Sequence, residues 1–219
     1  TRTADMLSLL PNWPAFSVFM VATLAVGAAP GPGMMFAVAR SIGQGRLAGA
    51  VSVLGLSLGS FMLCLAAAFG VAAIIGASQI AYDGFRYLGA AYLIYLAVRV
   101  LVVGGALPGH DGKPHRDSLG RIFRQAVATN LMNPKSGMFY IAFLPQFTDP
   151  ERGSVIAQFI LLGVIFNVTG NSINLAVAYF FGHIGDWLAR HLRVWRLQQW
   201  FTASIFMAIA GHLILADRR

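Results

Sequence analysis

Two stretches decide how this chain is read: Ala29-Pro30-Gly31-Pro32-Gly33-Met34-Met35-Phe36 and Asn133-Pro134-Lys135-Ser136-Gly137-Met138-Phe139-Tyr140. With Pro30 laid on Pro134, Gly33 falls on Gly137, Met34 on Met138 and Phe36 on Tyr140. Each stretch lies inside a run apolar enough to cross a bilayer. Proline has no N–H and clashes with the carbonyl one turn earlier, so a helix must break at each. In hydrocarbon, the backbone groups freed by a break are tolerated only against protein or a watery cavity. Matched breaks in two halves of a membrane chain point to the binding site of a transporter.

Composition sets the class. The chain is 57% hydrophobic and 11% charged, and its mean hydropathy of +0.67 lies far from that of a soluble domain. Runs of about 20 mostly apolar residues predict six spans, at 16–38, 47–75, 87–103, 122–147, 155–181 and 200–215. The net charge of +8 is carried in the loops between spans, with no basic stripe interleaved by aromatics. Cytoplasmic anchoring therefore accounts for it, and nucleic-acid binding is excluded. The lone Cys64 lies mid-span and reads as a small core residue. A secretory signal is disfavoured, because Arg2 is offset by Asp5 and the apolar run continues through Pro30 without a small-residue cleavage site.

The internal likeness reaches beyond the breaks: at the same offset, Leu58 meets Leu162, Gly59 meets Gly163 and Gly70 meets Asn174. The register fails by the third span of each half, and chance likeness among apolar segments is the competing reading. Three spans is an odd number, so a second copy must enter the membrane upside down. The expected fold is an all-α membrane protein of six transmembrane helices, arranged as two inverted three-helix repeats with helices 1 and 4 broken. Residues 1–106 form the first repeat and 120–219 the second. Residues 107–119, rich in Gly, Pro and charge, form a cytoplasmic linker. Ten Lys and Arg in the first, third and fifth loops, against five on the other side, place the odd loops in the cytoplasm and both termini outside.

Few residues at membrane depth can carry chemistry. Lys135 is the cation placed deep in a span, where an ammonium costs roughly 3 kcal/mol or more. It reads as facing the cavity at the break, as a carboxylate partner or as a clamp on the opposite break; snorkelling is the other reading. Asn130 and Asn133 flank it and can satisfy loose backbone groups. In the fifth span Gly163, Asn167, Gly170, Asn171, Asn174 and Ala178 share one helical face. Such asparagines either glue the bundle or wall a solute path. In the second span Ser52, Gly55, Gly59, Ala66 and Gly70 share a face and contain a GxxxG, read as packing. The half-helices that begin after Gly33 and Gly137 offer N–H groups and positive dipole ends to an anionic group such as a carboxylate. No Asp or Glu falls at the centre of a span, which favours a neutral or zwitterionic solute. Titratable groups near span ends are Asp83, Asp149, Glu151, Asp186 and His183; Asp149, at the exit of the fourth span, is the choice for proton coupling, against a plain loop acid.

The APGPGMMFA run at 29–37, the NLMNPKSGMFYIAFLPQF run at 130–147 and six spans in this length resemble the LysE/RhtB amino-acid exporter family. The resemblance covers essentially the whole chain, and the NPK segment followed by FLPQF is its most specific part. It implies a bacterial inner-membrane exporter of amino acids or their derivatives, driven by the proton gradient. The matching positions are Pro30, Gly31, Pro32 and Gly33 in the first motif, and Asn133, Pro134 and Lys135 in the second. With Asn130, Gly137, Asn167, Asn171 and Asn174 they make up the expected substrate site. A membrane-embedded enzyme would need a nucleophile with its base, or paired acids, at membrane depth; a non-transporting subunit would need no paired breaks. No GxxxxGK[ST] occurs, so the chain has no ATP site of its own. No cofactor or metal is expected. The partners expected are a small-molecule substrate and lipid, with a homo-oligomer open.

Overall fold

Asn12 starts the first helix, its Oδ1 accepting the Ala15 N–H at 3.0 Å, and Pro30 stops it. The structure is a computed structural model that describes residues 9–29, 31–75 and 117–190, with scattered positions between 84 and 102 and between 200 and 211. Among the described residues every regular element is helical: α1 (Trp13–Ala28), α2 (Pro32–Gln44), α3 (Arg46–Ile75), α4 (Leu119–Leu131), α5 (Pro134–Met138) and α6 (Val155–Arg190). Between α5 and α6 the chain widens into a π turn at Phe139–Phe143 and tightens into 3-10 turns at Leu144–Phe147 and Pro150–Arg152. Pro145 supplies the reason. It removes the N–H that an α-helix would direct at Ile141, so the pitch must change before it.

α3 over Arg46–Gly70 and α6 over Val155–Phe180 are each long and apolar enough to cross a membrane, and α1 with α2 passes the same test only as a pair, bent by 47° between them, as a broken span or a re-entrant loop would be. α4 has 13 residues and α5 has five, so neither crosses alone. The spans expected at 87–103 and 200–215 lie largely outside the described residues. The positions described there are helical; Ala90, Ala97, Ala203 and Ala210 are buried, while Tyr87, Tyr95, Val98, Trp200 and Met207 are exposed. Asp83 lies outside the described residues, as do the side chains of His183 and Asp186.

Small residues let the long helices touch, as they must where lipid offers no hydrophobic drive between helices. A Cβ at Gly55 would lie 2.5 Å from the Phe123 carbonyl oxygen, and one at Gly59 would lie 2.8 Å from that of Val127. The GxxxG therefore packs α3 directly on the backbone of α4. A Cβ at Gly163 would collide with the Cys64 sulfur, which brings α3 equally close to α6. The expected stripe on α3 holds only that far, since Ala66 and Gly70 are exposed. The core between α1, α6 and the π turn is aromatic. Phe139 stacks on Phe166 with centroids 3.9 Å apart, and Phe19 meets Phe147 edge-on at 5.5 Å.

Candidate functional site

The two breaks meet through one side chain. Lys135, in the first turn of α5, reaches to the C-terminal end of α1, where its Nζ donates to the carbonyls of Val26 at 2.9 Å and Ala29 at 2.7 Å. The choice of acceptors follows from the sequence. In an unbroken helix the Val26 carbonyl would accept the N–H of residue 30, and residue 30 is proline. The lysine thus satisfies a carbonyl that Pro30 orphans, and its charge lies at the negative end of the helix dipole. Gly31 makes room for it. Its φ of −150° suits any residue, but a Cβ there would sit 3.1 Å from Lys135 Nζ and 3.2 Å from Cε.

Helix α2 restarts at Pro32, whose missing N–H costs nothing at the first helical position. Its first intrahelical bond runs from Met35 N to Gly31 O at 3.0 Å, so the N–H groups of Gly33 and Met34 precede it. Asn133 starts α5 in the same way, with its Oδ1 accepting from Lys135 N at 3.1 Å. The helix starts therefore equate Pro32 with Pro134, two residues away from the sequence register that paired Pro30 with Pro134. The PGP motif has a stopping and a starting proline, whereas the second break has only the starting one.

A cavity of about 40 Å³ lies against both breaks. Val26, Gly27, Gly33 and Met34 line it from the first break, Asn130, Asn133, Lys135 and Ser136 from the second, Leu56 and Ser60 from α3, and Phe166, Asn167, Gly170, Asn171 and Asn174 from α6. No Asp or Glu is among these residues. The asparagines form a ladder. Asn167 Nδ2 donates to the Ser57 carbonyl at 3.0 Å, and its Oδ1 accepts from the Ser57 hydroxyl at 3.1 Å. Asn171 Nδ2 donates to the Asn167 carbonyl at 2.9 Å and also to Asn167 Oδ1. Asn174 Nδ2 follows at 3.4 Å from Asn171 Oδ1. Beside it, the Ser60 and Tyr140 hydroxyls lie 2.8 Å apart.

Of the residues expected to form the site, Gly33, Asn130, Asn133, Lys135, Asn167, Asn171 and Asn174 line this one cavity. Gly31 abuts it through Lys135. Pro32 is exposed at the start of α2. Gly137 is half-buried with open space about it and is not among the lining residues. Pro134 opens α5, its side chain outside the described residues, and Pro30 itself lies outside them. Asp149 stands away from the cavity: its Oδ1 caps the following 3-10 turn through Glu151 N at 2.9 Å, and it pairs with Arg152 at 3.3 Å. Ser57, Ser60, Tyr140 and Phe166 were missed. The two serines, on adjacent turns of an apolar span, are the signal that could have found them.

A second polar cluster joins the end of α2 to the start of α4. Arg40 Nη2 donates to Asp117 Oδ2 and Gln125 Oε1, both at 2.8 Å, and its Nη1 to Gln44 Oε1 at 2.8 Å. Arg121 holds the other Asp117 oxygen at 2.9 Å. The hydrogen bond from Arg121, and then the bond and charge of Arg40, hold the Asp117 carboxyl below its usual range. A depressed folded-state pKa stabilises the fold above the unfolded value and is lost only as pH falls through the folded one. The melting-temperature gap between wild type and Asp117→Asn should thus stay constant from about pH 8 to 5 and close only below about pH 4. A gap already closing between about pH 7 and 6 would contradict this assignment of the charge.

The LysE type translocator family matches residues 24–217. The chain is 30% identical over 201 residues to a homoserine/homoserine lactone efflux protein of Salmonella typhi, covering 92% of this chain and 96% of that protein. It is 29% identical over 150 residues to a leucine efflux protein of Salmonella choleraesuis, covering 68% and 71%. It is also 31% identical over 186 residues to an uncharacterized membrane protein of Pseudomonas aeruginosa, covering 82% and 85%. No solved structure matches it. The apolar helices, the polar cavity between them and these matches along the chain agree: it is a transporter, a member of the LysE type translocator family.

Proposed function

We propose that this chain exports small neutral or zwitterionic amino acids, or their derivatives, across the bacterial inner membrane by proton antiport. In this reading α1–α2 and α4–α5 are the broken helices 1 and 4 of two inverted three-span repeats, 1–106 and 120–219. Residues 107–119 and the other odd loops face the cytoplasm, and both termini face outside. The observation that carries the proposal is the cavity at the two breaks. Its wall offers N–H donors and amides for a carboxylate and an amino group, and no Asp or Glu to neutralise a second positive charge. The efflux of homoserine, homoserine lactone and leucine that the relatives' names record is of the same class. At about 40 Å³ the cavity has room for about three waters and lies well below the ~300 Å³ at which ligand pockets begin. Transport therefore needs a wider arrangement, reached by moving one break against the other.

The test is exchange in liposomes. Purified protein should move labelled leucine or homoserine in the direction opposite to the protons of an imposed gradient, stop when the gradient is collapsed, and leave lysine and arginine behind. Uptake confined to dicationic solutes would sink the proposal. Asp149→Asn tests the coupling residue: the variant should exchange substrate without responding to pH, and full pH-driven export would move coupling elsewhere.

A further inference from the structure

Asn130 carries one unanswered group. It lies in the last turn of α4, 5% exposed, and its Nδ2 donates to the Leu56 carbonyl of α3. That bond fixes which way the amide faces, because a carbonyl can be met only by the nitrogen. Its Oδ1 is then turned away from α3, and among the described residues it has no partner. Leaving a buried acceptor unmade is costly, and each such case in a native fold calls for a reason.

The surroundings narrow the reason. Three other amide oxygens of the cavity are engaged: that of Asn133 by Lys135 N, that of Asn167 by Ser57 and Asn171, that of Asn171 by Asn174, whereas Asn174, the fourth, is only half-buried. The Ser60 hydroxyl is paired with that of Tyr140. Asn130 Oδ1 is thus a covered acceptor, oriented by its own nitrogen, on a residue that lines the same cavity as Gly33 and Met34 at the start of α2. Those first-turn N–H groups suit a carboxylate. An α-amino acid carries its acceptor and its donor on one carbon, so it needs donors and an acceptor in one small cavity.

We propose that Asn130 Oδ1 receives the amino group of the transported solute and so selects amino acids over acids of the same shape. This rests on the exporter reading above. An amide suits the task better than a carboxylate would, since it accepts from an ammonium without offering a full counter-charge to a second one.

The test is equilibrium binding to the full chain in lipid nanodiscs, with leucine, homoserine and the same two carbon skeletons without the amino group as probes. Wild type should bind at least one amino acid about tenfold or more tighter than its des-amino counterpart, the effect of one hydrogen bond to a charged group. Asn130→Leu should erase that preference, and Asn130→Asp, which keeps an acceptor, should retain it. Equal wild-type affinity for amino and des-amino partners overturns the proposal while leaving the exporter reading intact, and needs no variant to fold. An undiminished preference in Asn130→Leu also overturns it. Binding of none of the probes overturns the exporter reading for this solute class, and this proposal with it.

Discussion

Lys135→Ala is expected to cut transport by about 100-fold or more while the protein still inserts and folds, a loss equivalent to one or two charge-assisted hydrogen bonds at ~1.5–3 kcal/mol each. Two opposing terms keep the fold. The ammonium costs roughly 3 kcal/mol or more at membrane depth, and its bonds to the Val26 and Ala29 carbonyls offset that cost. Removing the side chain relieves the first term but leaves the Val26 carbonyl without its partner at about 1–3 kcal/mol, so the two changes largely offset and the protein still folds. Function has no such offset. The same bonds tie the end of α1 to the start of α5, and they fix where the first-turn N–H groups of α2 face the cavity. Lys135→Arg sharpens the test, since a guanidinium keeps the charge but not the compact shape that fits beside Gly31. A snorkelling lysine would tolerate arginine; a clamp should not. Normal export by both variants, measured as solute exchange in liposomes, would return Lys135 to a snorkelling role.

The end of α1 and the starts of α2 and α5 were legible in the sequence because proline and glycine act locally. Pro30 stops a helix and Pro32 and Pro134 start one wherever they stand, and Asn133 caps α5 from the neighbouring position. What the local signal could not supply is partnership. Lys135 could be read as a cavity lysine, but its acceptors lie 109 and 106 residues away. The Arg40–Asp117 pair spans 77 residues, and Asp117 looks like any linker acid until α2 and α4 are brought together. Asp149 shows the reverse. Asp-Pro-Glu is a helix-start signature in itself, and the capping it makes with Glu151 was readable from three letters. On α3 the small-residue stripe marked the contact with α4 at Gly55 and Gly59, but Ala66 and Gly70 turned out exposed. Periodicity alone does not say where a neighbouring helix ends.

Asn167→Leu should be the most damaging change in the asparagine ladder, and the contrast with Asn174→Leu is the measurement. Asn167 exchanges two bonds with Ser57 of α3 and receives Asn171, whereas Asn174 makes a single long bond at 3.4 Å to Asn171. The loss of stability is modest, because a hydrogen bond between membrane helices is worth about 0.6 kcal/mol on average and about 1.7 at most. Leucine at 167 also fills the space of the amide. A fall of a few degrees in melting temperature is therefore expected for Asn167→Leu, and almost none for Asn174→Leu. Transport should separate further than stability does. Losing Asn167 frees the Ser57 hydroxyl and leaves Asn171 with only the residue 167 carbonyl, so the polar wall on the α6 side of the cavity no longer holds its shape. An export rate reduced about tenfold or more, with the protein still folded, corresponds to ~1.4 kcal/mol on the transport barrier. A lower melting temperature for Asn167→Leu with export equal to that of Asn174→Leu would mean that the ladder glues α3 to α6 and takes no part in the solute path.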